Sequence, residues 1–536
     1  MRLVGSDAER ARLSHSLGSA RSELAMLRFN AAPGRAFKAV VPVDARPVEV
    51  TLVPQSVRAP GFKVLVQQPG GGWAQAEPGP DQTFVGISPQ FPTAQIVASV
   101  DQDGMTLQMR VPGLPGAYWL EPIKDRIGTP DRAQGELAHA AYHSLDLDGP
   151  VGTCAGPLEL GGARGSGGER GTCAASVCVA EIGCDSDSDY FDRYGSVDAV
   201  RAQIERVIAH ANLQFAAEVG IRHKITTILV RPNPGPPYTS FNAGGVLFEF
   251  QSEWNSNQAS VPRDVAHLFT AKPLSGGNTV GLALRGTVCN QAQAYSIVRS
   301  DCCGSFAGTT DLTAHELGHN WDAAHCACQD PNPISTMNPT VTSANTFVTD
   351  ISGASVASIT NWRNSAACLE PDKPSTPPGS FGIVSPPNAG FGVPLPITLD
   401  WADSSGADFY VVSVALQPQF NDPLITAATL SSTFTLQGQL NSQGLRYYWK
   451  VTAWNAASQQ VPMNPAVASF VSFVPPPACP GDVNTDGQVN TSDLTVMLGS
   501  FGSLVTPGTF GDINGDGTIN TVDLTQLLSR FGTICD

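Results

Sequence analysis

The stretch Thr313-Ala-His-Glu-Leu-Gly-His-Asn-Trp-Asp-Ala-Ala-His325 constrains this chain more than any other. Positions i and i+4 of a helix share one face, so His315 and His319 can grip a single ion. Glu316 sits one residue on, beside the ion's water and not needed as a ligand. His325 reaches the same ion only if the helix ends after His319 and the chain turns back sharply. Three imidazoles suit zinc and leave a fourth position for water, the open geometry of a catalytic site. One zinc is therefore expected. Glu316 is expected to act as the general base that takes a proton from that water, for attack on a peptide carbonyl. A helix with two such histidines and no metal is the bland alternative, and the third histidine argues against it.

A length of 536 residues suggests three or four domains. Residues 1–150 hold short alternating runs such as Val48-Glu-Val-Thr-Leu-Val and Phe62-Lys-Val-Leu-Val, punctuated by turns, and read as a β-rich domain. Residues 151–174 read as a Gly-rich linker open to proteolysis. In residues 175–371 a helix is expected over 198–218, where Val200, Ile204, Val207, Ala211 and Phe215 recur at helical spacing. The run Lys224–Val230 follows as a buried strand, which indicates an α/β layer. Residues 380–474 are strand-rich. Ile397, Leu399 and Trp401 share one face, as do Tyr447, Trp449, Val451 and Ala453, so a β-sandwich is expected. Residues 479–536 are an internal repeat, in which GDVNTDGQVNTSDLTVMLGSFG at 481 returns as GDINGDGTINTVDLTQLLSRFG at 511.

The histidine pattern resembles that of the metzincin proteases, His-Glu-x-x-His-x-x-Gly-x-x-His with a downstream Met-turn. The family's glycine is replaced by Asp322, a residue type that tolerates the left-handed turn. The resemblance makes Met337, in Ser335-Thr-Met-Asn-Pro, the Met-turn methionine under the imidazoles. Within the metzincins, 175–370 resembles the reprolysin (adamalysin) family, on Val177-Cys-Val-Ala-Glu-Ile-Gly and Tyr190-Phe-Asp-Arg-Tyr. Gly281-Leu-Ala-Leu-Arg-Gly-Thr-Val-Cys289 resembles its edge strand. By that resemblance Gly281, Leu282, Ala283 and Leu284 pair with a peptide substrate, and Cys289 and Cys368 stand where the family often has a disulfide.

Residues 83–143 resemble the reprolysin pro-domain, on Phe84-Val-Gly-Ile, Asp103-Gly-Met and Tyr118-Trp-Leu-Glu-Pro. The resemblance implies a latent precursor. Cys154 is then either a cysteine switch in the zinc's open position or half of a disulfide. With twelve cysteines, a free Cys154 leaves an odd number and requires a second free thiol.

Each repeat of 479–536 places oxygen ligands as an EF-hand loop does. The first offers Asp482, Asn484, Asp486, the Gln488 carbonyl, Asn490 and Asp493; the second offers Asp512, Asn514, Asp516, the Thr518 carbonyl, Asn520 and Asp523. One short helix follows each loop, with Leu494, Leu498, Leu524 and Leu528 expected to pack together. The duplicated loop-plus-helix resembles a type I dockerin, which implies two calcium ions and a cohesin-type partner. Cys479 and Cys535 bracket the repeat. The strand-rich segment before it resembles fibronectin type III. The fold class expected is thus multidomain: an α/β metzincin catalytic domain, a β-rich pro-domain, a fibronectin type III-like β-sandwich and a small α calcium-binding dockerin.

A net charge of −16 without a basic cluster excludes nucleic acid as a partner, and no apolar stretch is long enough to span a membrane. Twelve cysteines point to disulfides in an oxidising compartment, so a secreted or cell-surface protein is expected. The opening residues MRLVGSDAERARLSHSLGSA show no apolar export signal. The expected function is zinc-dependent hydrolysis of protein or peptide substrates. The competing class is a non-catalytic adhesion or scaffold protein, which would have little use for Glu316 beside three histidines.

Overall fold

The computed structural model describes residues 1–29, 36–91, 93–123, 135–147, 152–159, 177–235, 237–275, 278–300, 302–326, 328, 334–348, 353–372, 377–394, 396–407, 409–421, 423–436, 440, 445–454, 460–473 and 479–535. Contacts divide the chain into two units, Met1–Lys373 and Pro374–Asp536. No described helix is long and apolar enough to cross a membrane.

The first unit holds two large sheets. One is antiparallel and built wholly from the N-terminal region, in the order Arg2–Val4, Glu23–Leu27, Leu137–His143, Tyr118–Pro122, Gly104–Arg110, Gln95–Asp101, Thr83–Ile87, Arg46–Pro54, Phe37–Val43. Side chains alternate across a strand, so its two faces serve different cores. Leu120 joins Val50, Leu52, Met105 and Leu107 in the sheet's own core. Its neighbour Trp119 points the other way, into the cluster that holds Leu312, Leu317 and Met337.

The second sheet runs Thr153–Cys154, Thr279–Ala283, Tyr295–Arg299, Val265–Thr270, Cys178–Ser186, Ile221–Val230, Arg58–Gln67, Trp73–Ala76. Its central strands are parallel and Thr279–Ala283 is antiparallel to Tyr295–Arg299. Strands from both sides of residue 150 thus share this sheet. The N-terminal region adds a hairpin to one edge of this second sheet, and Thr153–Cys154 pairs with the other. The stretch read as a linker begins inside the sheet; its residues 160–176 lie outside the described residues.

The helix expected over 198–218 spans Val197–Val219, capped by Ser196 and ended by Gly220 in the left-handed region. The helix that carries His315 and His319, Phe306–Asn320, is capped by Ser305 and buried along its whole length.

In the second unit, a three-stranded and a six-stranded sheet share one core of Trp401, Val412, Tyr447, Trp449 and Phe470. The terminal repeat forms the helices Thr491–Gly499 and Thr521–Ser529, each opened by an Asn–Asp capping box. Their shared core is Val489, Met497, Ile519 and Leu527, with Leu494 and Leu524 partly buried. Leu498 and Leu528 are half exposed, contrary to expectation. Once Leu494 and Leu524 face inward, the positions three residues on, Met497 and Leu527, complete the inner face, and the next residue turns outward.

Disulfides join Cys289–Cys368, Cys302–Cys303, Cys326–Cys328 and Cys479–Cys535. Cys154 and Cys184 are free and buried.

Candidate metal centre

The active-site helix stops at Asn320 and the chain reverses through Asp322, whose φ of 73° is left-handed. Asp tolerates this conformation better than bulkier residues do. Arg285 holds the turn: its Nε and Nη2 both donate to the Asp322 carbonyl at 3.0 Å. The reversal carries His325 back to the helix. His315 Nε2 lies 3.0 Å from His319 Nε2 and 3.2 Å from His325 Nε2. Nitrogens bound tetrahedrally to one zinc, at roughly 2.0–2.1 Å each, stand about 3.3 Å apart. The three imidazoles therefore fit a zinc ion.

Backbone carbonyls aim two of these rings. Thr336 O lies 2.6 Å from His315 Nδ1, and Ala323 O lies 2.8 Å from His319 Nδ1. With Nδ1–H donating, each Nε2 presents a lone pair. Burial, and then the neighbouring His325, pushes the His315 pKa down to about 3; burial likewise holds His319 well below the usual range and lowers His325. The rings are therefore neutral, as ligands must be.

Met337 is fully buried beneath the helix. A Cβ at Gly318 would stand only 2.7 Å from its sulfur, so the close approach requires glycine there. Glu316 is also fully buried, with the Cys154 thiol beside its carboxylate. Burial pushes its pKa well above the usual carboxylate range. A carboxylate buried without a cation to pair with is costly in a purely structural helix and fits a group that acts on water or substrate.

The edge strand expected from Gly281 is Thr279–Ala283; Leu284 lies just past its end. A Cβ at Gly281 would overlap the Glu316 carboxylate. The residues paired with this edge are the chain's own. Ala155 N donates to Gly281 O at 3.2 Å, and Leu158 N donates to Ala283 O at 3.0 Å. Across the groove, Cys154 N donates to Pro339 O and Val341 N to Gly152 O, both at 3.0 Å. Segment 152–159 thus lies between the edge strand and residues 339–341. It brings Cys154 among the site groups: potential ligand atoms of Cys154, His315 and Glu316 all lie within 4.8 Å of one another. Burial, and then the Glu316 charge, pushes the Cys154 thiol well above its usual pKa.

Sequence reasoning passed over Asp311, one turn before His315. Its carboxylate accepts hydrogen bonds from Thr336 Oγ1 (2.6 Å), Asn345 N (2.9 Å) and Thr342 N (3.3 Å). It thereby fixes the loop whose Thr336 carbonyl orients His315. The i,i+4 spacing to His315 was the available signal. The other histidines lie elsewhere: His223 accepts from Trp321 Nε1 at 3.0 Å, and His267 Nδ1 pairs with Ser296 Oγ at 2.7 Å.

In the terminal repeat, carboxylate oxygens of Asp482, Asp486 and Asp493 lie within 4.8 Å of one another. Asp482 accepts from the amides of Asp486 and Gly487, and Asp512 from those of Asp516 and Gly517. Asp493 and Asp523 each accept from three loop amides. Asn484 Nδ2 and Asn514 Nδ2 donate to Asp486 and Asp516. Both loops are wound around their acidic positions.

Residues 177–365 match the profile of metallo-peptidase family M12, and residues 480–531 match the dockerin type I domain. The chain thus carries a reprolysin-type M12 metallopeptidase domain and a C-terminal type I dockerin. It is similar to "A disintegrin and metalloproteinase with thrombospondin motifs 1" of Rattus norvegicus and of Mus musculus, each 35% identical over 133 residues. The protein of that name from Homo sapiens is 33% identical over 119 residues. The rodent matches cover 21% of this chain and 13% of the relative, so the chain spans a small part of the relatives' length.

Asp311→Ala should weaken zinc binding by about 10–100-fold, because it releases the carbonyl that orients a ligand. Competition against a graded chelator measures this, and an unchanged zinc affinity would remove Asp311 from the metal centre.

Proposed function

We propose that this chain is a secreted zinc endopeptidase, made latent by its own segment 152–159 and attached to a partner through its dockerin. The observation that carries the reading is the convergence of three imidazole Nε2 atoms beside a fully buried carboxylate. His315, His319 and His325 hold the zinc. Zinc in such a site supplies Lewis acidity toward water and the scissile carbonyl. Glu316 takes the proton of the attacking water and returns it to the leaving amine. A substrate peptide pairs with Gly281, Leu282 and Ala283, with Leu284 at the end of the strand, and so lies against residues 339–341. Met337 is the Met-turn methionine.

Latency follows from the same groove. Segment 152–159 uses the hydrogen-bonding edge that substrate needs, and Cys154, within 4.8 Å of His315 and Glu316, would fill the position left open by the histidines. The oxygen ligands of the two dockerin loops, Asp482 to Asp493 and Asp512 to Asp523, take one calcium each, and the folded repeat binds a cohesin-type domain. The sandwich, fibronectin type III-like, is a spacer.

Three outcomes test this reading. Glu316→Gln should keep its zinc and lose at least ~10²-fold of its casein-cleaving rate; near-parental cleavage would refute the mechanism. Full-length protein should be less active than protein cut within 160–176, and Cys154→Ala should raise the activity of the uncut form. Equal rates for all three proteins would show that the segment does not restrain the enzyme. Calorimetry should count two calcium ions per chain that disappear when residues 479–536 are removed. The zinc should remain throughout, since nitrogen ligands do not favour calcium. One calcium or none would defeat the paired-loop reading.

A further inference from the structure

We propose that the N-terminal region, residues 1–147, is a lasting partner of the protease domain. After a cut within 160–176 it stays bound through the sheet edge opposite the cleft, and only segment 152–159 leaves its place. The proposal rests on the latency reading in taking 160–176 as the point of cleavage.

The interface is built like the inside of a domain. Strand Arg58–Gln67 runs parallel to Ile221–Val230, with Lys63 opposite Thr227 and Val66 opposite Val230. The protease strand it covers is apolar: Ile225, Ile228, Leu229 and Val230 are inaccessible to solvent, and so is Val64 of the added strand. Parallel strands of this composition are stable when covered on both sides, and an uncovered edge invites pairing with other chains. Departure of the region would bare such an edge.

Charge pairing points the same way. Arg58 Nε and Nη2 donate to the two oxygens of Glu205 at 2.6 and 3.2 Å, and the Glu205 side chain is 1% exposed. Arg110 pairs with Glu218, and Asp101 with Arg206, across the same boundary. Glu218 also accepts from Phe347 N at 2.7 Å, in the loop after the Met-turn. Glu121 accepts from Phe306 N at 3.2 Å, at the first turn of the active-site helix, where free amides and the helix dipole favour an anion. Glu205 would keep Arg201 of its own helix, but loss of the region would take from Glu205, Glu218 and Arg206 a charged partner each holds in a buried setting, which is unfavourable. Segment 152–159 differs. Thr153, Gly156 and Glu159 are exposed, and cleavage beyond residue 159 frees one of its two ends.

The test uses the full chain with a specific protease site placed within 160–176. After cutting, size-exclusion chromatography and native mass spectrometry should find one particle with the mass of the intact chain, resolved into two fragments only in denaturant. Serial dilution to nanomolar concentration should leave it whole. Arg58→Glu, which sets like charge against Glu205, should raise the dissociation constant of the cut halves by at least about tenfold. An N-terminal fragment that elutes alone at micromolar concentration would overturn the proposal, and this wild-type measurement decides even if the variant fails to fold. Peptidase assays before and after the cut separate the two ideas. Co-elution with unchanged activity supports the interface and contradicts latency alone; dissociation with a rise in activity contradicts the interface alone.

Discussion

Two hydrogen bonds from backbone carbonyls to imidazole rings underlie the metal centre. Thr336 O and Ala323 O fix the Nδ1 sides of His315 and His319, and so face both Nε2 atoms toward one point. Each carbonyl must itself be held. Ala323 belongs to the reversal that Asp322 makes and Arg285 clamps. Thr336 belongs to a loop tied by Asp311 to the helix that bears the histidines. Helix, turn and Met-turn loop therefore brace one another. Met337 needs Gly318 above it, and His325 needs the turn at Asp322, so few residues here can change independently.

The edge strand Thr279–Ala283 is governed by backbone pairing as well. An edge strand offers unpaired donors and acceptors to any extended chain, and here segment 152–159 takes them. The latency proposed above needs no separate inhibitory fold, only a segment of this chain on that edge and a thiol near the histidines. At the opposite edge, the hairpin of Arg58–Gln67 and Trp73–Ala76 fills the place where the sheet would otherwise end.

Much of this was legible in the sequence because it is carried by short-range spacing. The i,i+4 histidines, the tolerance of Asp322 for a left-handed turn and the repeated acidic loops are all local. Cys289–Cys368 joins the pair that the reprolysin resemblance suggested, and Cys479–Cys535 joins the two cysteines that bracket the repeat. What escaped is non-local. Alternation in Phe62-Lys-Val-Leu-Val marks a strand and its faces, but not which sheet it joins. Trp119 and Leu120 serve different cores, and nothing in Tyr-Trp-Leu-Glu-Pro says so. Asp311 went unnoticed because its partners lie 25 or more residues away. Leu498 and Leu528 were given to the dockerin core, which Met497 and Leu527 fill instead.

The central claim is that Cys154 holds the open position of a three-histidine zinc site until the chain is cut. X-ray absorption at the zinc edge reads that coordination directly. The uncut, zinc-loaded protein should show one sulfur neighbour at about 2.3 Å beside its nitrogens, and the cut protein should show nitrogen and oxygen alone. A spectrum without sulfur before the cut, or one unchanged by it, would contradict the account.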